Sequence, residues 1–250
     1  MTENNWWKVE NLRNQEKKVL RINNHDEMEE GNGDFGSYRK VLKGESFENT
    51  MLASHNDLNP GQKIRFINKL MSIEINDTLD ILDVGCGMGF TSYELSKFYK
   101  NSNVTGVEIS TDAIKYATKK FKNIEFICQG IEPTNPSLGQ YDLIFCFEFY
   151  PFTRTNSIQT HKDYLNYFLS QLKEHGKLVI HLKWKSDVSI FKNFDKIKNE
   201  FNFYSFELHT IPNSKILKFL GNNYFSFAVD KILRFMMRKD HNKSIIISLK

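Results

Sequence analysis

The stretch ILDVGCGMGF, residues 81–90, constrains the fold more than any other part of the chain. A short apolar run ends in Asp83, and glycines follow at 85, 87 and 89. Alternate glycines after a buried strand mark a turn where backbone must approach a ligand closely or adopt conformations closed to other residues. Such a loop needs a strand before it and a helix after it, and residues 91–99 suit that helix. The unit then repeats. Residues 104–109, 124–128, 142–147 and 178–182 read as strands, and 111–121 and 162–175 as helices, the latter ending at Gly176. The run DLIFCF at 142–147 is continuously apolar, as in a strand covered on both faces. Residues 203–208 and 244–249 add two further β candidates. The expected fold is α/β: a doubly wound, mainly parallel, seven-stranded sheet with helices on both faces and an N-terminal cap.

Residues 1–60 do not follow this alternation. They are polar and punctuated by glycine (EEGNGDFGSYRK), with aromatics at Trp6, Trp7, Phe35, Tyr38 and Phe47. They read as a cap over the carboxyl edge of the sheet, where open α/β folds bind ligands. A helix over 61–71 leads into the core domain, residues 61–250. The chain has 250 residues, room for one large α/β domain. Its net charge of +4 comes from basic residues interleaved with acids, so nothing points to a nucleic-acid partner. Three cysteines, Cys86, Cys128 and Cys146, form no CxxC pair and read as buried thiols of a cytoplasmic protein. No apolar stretch approaches the roughly 18 residues that span a bilayer. The N-terminus lacks the basic and apolar regions of a signal peptide.

Three kinds of ligand use glycine loops. A P-loop needs GxxxxGK, and no lysine follows Gly89. The dinucleotide fingerprint is GxGxxG, whereas Gly85, Gly87 and Gly89 give GxGxG. Asp83 would also repel a pyrophosphate, but it suits a ligand carrying a positive amino or sulfonium group.

DVGCGMG resembles the first motif of the class I S-adenosylmethionine-dependent methyltransferases, of the small-molecule type. GVEIS at 106–110 is similar to the second motif, and its Glu108 falls 23 positions after Gly85. FICQGIE resembles the third motif and YDLIFCFEF the fourth, so the resemblance covers about residues 80–185. It implies S-adenosylmethionine as cofactor, with S-adenosylhomocysteine as product. Asp83 would take the methionine amino group, and Gly85, Cys86, Gly87 and Gly89 would offer close backbone approach. Glu108 would hold the ribose hydroxyls and Ile109 would pack on the adenine. Gln129, Gly130 and Ile131 would line the adenine edge. Many members carry Asp where this chain has Ile131, so a backbone N–H or the Gln129 amide would replace that contact. Phe147 would lie near the sulfonium. SHNDLNPGQKIRFINKL looks like the helix before the first motif, which brings Gly61 and Gln62 to the methionine end. Tyr38 is a candidate lid residue.

The acceptor side is less specific. FEFYPF at 147–152 lacks the Asn- or Asp-Pro-Pro-aromatic turn of nucleic-acid adenine methylation. No cluster of acids follows strands four and five, so no metal is expected. Glu148, Tyr150 and His181 are the catalytic candidates, with His55 and His161 as alternative bases. Arg154, Lys183 and Trp184 are the substrate-binding candidates. The expectation is methyl transfer to an oxygen of a small anionic or sugar-linked metabolite, such as a surface-carbohydrate precursor. RNA or protein methylation and a non-catalytic adenosyl-binding role are the rivals. The amphipathic stretch 224–239 is expected to cover the sheet or form a homodimer contact, with no stable membrane insertion.

Overall fold

A computed structural model describes residues 60–182, 189–211 and 242–250, with two isolated positions, Ala228 and Ile232, in helix. By its internal contacts the chain divides into Met1–Asn59 and Pro60–Lys250. The description below concerns the second unit. The N-terminal segment, and all but two positions of 224–239, lie outside the described residues.

Helix α1 (Pro60–Met71) precedes strand β1 (Asp80–Val84). Then follow α2 (Phe90–Phe98), β2 (Asn103–Glu108), α3 (Thr111–Lys120), β3 (Glu125–Cys128) and β4 (Tyr141–Phe147). Helices α4 (Tyr150–Arg154) and α5 (Ile158–Leu169) lead into β5 (Leu172–Leu182). A 3-10 turn (Ile190–Asn193), α6 (Phe194–Glu200), β6 (Tyr204–Ile211) and β7 (Asn242–Leu249) complete the unit. The seven strands form one sheet in the order β3-β2-β1-β4-β5-β7-β6. All neighbours are parallel except β7, which runs antiparallel to β5 and to β6. The doubly wound reading holds.

Side-chain alternation along the strands divides the core into two layers. Leu82, Val84, Ile144, Leu178, Ile180, Ile245 and Ile247 pack with Tyr164, Leu165 and Phe168 of α5. Ile81, Leu143, Phe145, Val179 and Ile246 face the other way, against Ile64, Ile67 and Met71 of α1 and Leu95 of α2. The 3- and 4-residue spacing on α1 places those three residues on one face. Helix α1 therefore covers this face of the sheet, and by the same alternation Asp83 and His181 fall on its side.

Two elements depart from the sequence reading. The helix expected over 162–175 ends at Leu169, and Lys173, His175 and Gly176 belong to β5. The sequence through HKDYLNYFLSQLKEHG stays helix-like, but Gln171 stops the helix. Its carbonyl accepts from the Tyr141 amide, its Oε1 from the Leu138 amide, and its Nε2 donates to the Tyr167 carbonyl. Cys128, expected to be buried, is exposed, with Sγ 3.8 Å from the Ile109 carbonyl and 3.6 Å from Thr111 Oγ1. Strand β3 is the edge of the sheet and covers only part of its own side chains.

Candidate functional site

The glycine loop joins β1 to α2 at the carboxyl edge of the sheet. Gly85, Gly87 and Gly89 all have left-handed φ, at 71°, 54° and 77°. The Gly85 and Cys86 amides both donate to the Val107 carbonyl, which holds the loop against β2. At Gly89, the residue preceding α2, a Cβ would sit 2.7 Å from the Phe126 ring; at Gly85 it would meet Phe149 at 3.2 Å. Both space and backbone therefore demand glycine here. The loop ends at the start of α2, whose first amides add positive partial charge beside it.

Two acids flank this cradle. Asp83 is buried at the end of β1 and accepts a 2.6 Å hydrogen bond from Ser92 Oγ in α2. Burial pushes its carboxyl up to about 7, the Ser92 hydroxyl opposes that rise, and nearby Glu108 adds to it. Glu108 ends β2. Its Oε2 accepts from the Gly87 amide at 3.2 Å and its Oε1 from the Ser110 amide at 3.0 Å. Burial raises this carboxyl too, while the Ser110, Gly87 and Ile109 amides pull it down. Each Glu108 oxygen keeps lone-pair capacity, so the carboxylate is oriented without being used up. Cys86 is buried and its thiol is held far above the ordinary range by burial and by both acids, which leaves it inert.

In the turn after β3, the Gln129 backbone amide donates to the Glu108 carbonyl. Gly130 lies under Ile109, whose Cδ1 would be 3.0 Å from an added Cβ. Ile131 turns its side chain into the α5-side core, and its carbonyl accepts from Tyr164 Oη at 3.0 Å. The absent Asp side chain is thus replaced by a core contact.

The other half of the site is the β4–β5 edge. Phe147 packs edge-on against the His181 ring at 5.2 Å, and the Glu148 amide donates to the His181 carbonyl at 2.9 Å. Glu148 is exposed and has φ +56°, an uncommon conformation for a non-glycine residue at a strand end. Tyr150 is half-buried in the first turn of α4. His181 is fully buried. Its Nδ1 is 2.8 Å from Ser244 Oγ on β7, its Nε2 has no hydrogen-bond partner, and burial with the nearby Lys63 charge drives its pKa well down. The ring is neutral at physiological pH. Lys63, in the first turn of α1, carries no sequence signal that sets it apart from its neighbours Arg65 and Lys69. It lies within electrostatic reach of both His181 and Glu148.

His161 is not at this edge. It is fully buried in α5 beside Phe152, 6.2 Å between ring centres, with the Pro151 and Thr155 backbone close to the ring but neither nitrogen in good hydrogen-bond geometry. Gly61 is buried in α1. Gln62 and Arg154 fall in α1 and α4, their side chains outside the description. Tyr38, His55, Lys183 and Trp184 lie outside the described residues.

An α/β sheet with a reversed last strand, an acid-flanked GxGxG turn and a second acid held by that turn's own amide define the class I S-adenosylmethionine-dependent methyltransferase. A family described as a methyltransferase domain matches residues 75–239, more than half of the chain, and the chain belongs to it. Among curated relatives, a malonyl-[acyl-carrier protein] O-methyltransferase of Priestia megaterium is 30% identical over 125 residues, 49% of this chain and 43% of that protein. The corresponding protein of Acetivibrio thermocellus is 34% identical over 77 residues, 30% of this chain and 27% of its own length. The matches thus span less than half of those relatives. Of solved structures, the plantazolicin methyltransferase BpumL in complex with SAH superposes with TM-score 0.54 at 15% identity, covering 96% of this chain and 99% of that one. A TehB-like SAM-dependent methyltransferase from Corynebacterium glutamicum gives TM-score 0.56 at 17% identity, covering 86% and 100%. These two share the fold.

Proposed function

We propose that the chain moves a methyl group from S-adenosylmethionine to an oxygen of a small anionic acceptor in the cytoplasm. The observation that carries this reading is the pair of acids around the glycine cradle. Glu108, fixed by two backbone amides, is set to take ribose hydroxyls, and Asp83 offers negative charge to the amino acid end. The residues fit the cofactor: three left-handed glycines clear the space, Ile109 offers an apolar face, and α2 begins beside it. When bound, that group supplies a methyl on a sulfonium centre, open to in-line displacement.

The protein's share is then alignment and exclusion of water. Phe147 would supply an apolar wall at the end of β4, and Gly61 and Gln62 are the candidates on α1 for the methionine end. Glu148 and Tyr150 would orient the acceptor at the opening of the β4–β5 edge. His181, neutral and buried, serves as a polar contact and not as a strong base. An acceptor that is already an anion needs no base, which fits the O-methyltransferases among the relatives. A carboxylate is therefore the first acceptor class to test, with sugar-linked acids such as surface-carbohydrate precursors as the second.

Calorimetry with S-adenosylmethionine, S-adenosylhomocysteine and NADH, followed by a labelled-methyl screen of carboxylate and sugar-linked acceptors, tests the reading. Micromolar binding of the adenosyl pair alone and label in a base-labile ester would support it. Preference for NADH, or label in RNA or protein only, would overturn it.

A further inference from the structure

We propose that Ser92 is a positioning residue for the amino end of the adenosyl ligand, fixing through its hydroxyl the Asp83 carboxylate that receives the ligand's ammonium group. This deepens the methyl-transfer reading above and rests on it for the identity of the ligand.

The geometry begins with an uncapped helix. Helix α2 follows Gly89, which has no side chain to cap it, so the amides of its first turn need acceptors from outside the helix. The Tyr93 amide already bonds to the Gly89 carbonyl, which leaves Ser92 as the last residue of that open turn. Ser92 is fully buried there, and Asp83, at the end of β1, is buried against it. A serine inside a helix ordinarily turns its hydroxyl back to a carbonyl of the preceding turn. Ser96, one turn later, does this, donating to the Tyr93 carbonyl at 2.9 Å. Ser92 instead reaches out of its helix and donates to Asp83 Oδ2 at 2.6 Å. Its backbone amide also favours the charge on that carboxylate.

This arrangement does two things for the acid. It ties one oxygen to a rigid element, and since a carboxylate accepts about four hydrogen bonds, capacity remains for an ammonium group. It also opposes burial. Among the described residues that act on Asp83, Ser92 alone favours the charged form. Glu108 on β2 disfavours it, and Cys86 in the turn and Cys146 on β4 are buried neutral thiols. Without the hydroxyl, an acid in so dry a place takes up a proton and offers no charge to the ligand.

The test compares the full chain with Ser92→Ala and with Ser92→Cys, which keeps the shape but donates more weakly. Without ligand, the Asp83 carboxyl carbon followed by NMR should titrate about one pH unit higher in Ser92→Ala, with Ser92→Cys in between. In calorimetry, Ser92→Ala should weaken S-adenosylhomocysteine about fivefold or more at pH 7, and the gap should narrow at pH 8.5 as the unsupported acid ionises. Methylthioadenosine, which keeps the adenosine but lacks the amino acid end, should change by less than about twofold. An unmoved Asp83 titration would overturn the role. So would an equal loss of both ligands, since Ser92 would then only hold the turn in shape. If the unaltered protein binds neither adenosyl compound, the methyl-transfer reading falls and this role with it. If it binds both and the variants match it at every pH, this role alone falls.

Discussion

The hydroxyl of Ser92 donates a 2.6 Å hydrogen bond to the buried carboxyl of Asp83, tying the first turns of α2 to the end of β1. The bond holds an acid that would otherwise be fully neutral in so dry a place, and leaves it balanced at about pH 7. Below that pH the ligand-free protein keeps Asp83 protonated; above it the carboxylate is ready for a cation. Affinity for S-adenosylhomocysteine, whose amino group is positive, should therefore rise from pH 6 to pH 8, by at most about tenfold per unit. In Asp83→Asn the rise should flatten. Parallel pH profiles for the two proteins in calorimetry would remove Asp83 from the amino group. At pH 8, Asp83→Ala should also cost more affinity than Ile131→Ala, whose side chain points into the core.

Glu108 receives two amide hydrogen bonds, one on each oxygen. Glu108→Gln must turn an NH2 toward one of those amides, donor against donor. A stability loss of about 1–3 kcal/mol is expected in urea unfolding, before any ligand is added. An unchanged midpoint would mean that the Gly87 or Ser110 amide has another acceptor.

Gly89→Ala meets both a left-handed backbone and the Phe126 ring. Strain of this kind costs about 1–3 kcal/mol. Phe126→Leu in the same chain should return part of the loss, the portion due to the collision. If the double variant is no better than the single one, backbone strain alone accounts for the cost.

The buried imidazole of His161 has its pKa lowered to about 4, chiefly by burial, with the carbonyls of Pro151 and Thr155 pulling the other way. The unfolded chain takes up this proton near pH 6.5, the folded chain only near 4. Stability is thus full above pH 6.5 and falls as the pH drops toward 4, by up to about 3 kcal/mol from this group. His161→Phe should narrow the difference in melting temperature between pH 7.5 and pH 5. An equal drop in both proteins would assign the acid sensitivity elsewhere, with His181 the next group to test.

Much of this architecture is legible in sequence because β-α alternation and glycine spacing are local signals. Gly85, Gly87 and Gly89 announce their turn, and Glu108 announces itself by its distance from them. What stays hidden depends on partners far along the chain. Gln171 ends a helix through bonds to Leu138 and Tyr141, about thirty residues earlier. Ser244 looks like a polar interruption in an apolar strand until β7 is laid beside His181. Lys63 looks solvated in sequence, yet it is half-buried and its charge acts on His181 and Glu148. His161 looks like a base by its chemistry alone, yet α5 packs it into the core.

Strand β7 lies between β5 and β6, so the sheet is not assembled in the order in which it is made. A ribosome that has delivered residues 80–182 has released β1 to β5, and with them the glycine turn, Asp83 and Glu108. Strand β6, although finished, must then wait without a hydrogen-bonding neighbour until residues 242–249 emerge and slip in beside β5. The same late arrival carries Ser244 to His181. During synthesis the glycine turn and its two acids are delivered first, and the Ser244–His181 pair waits for the seventh strand.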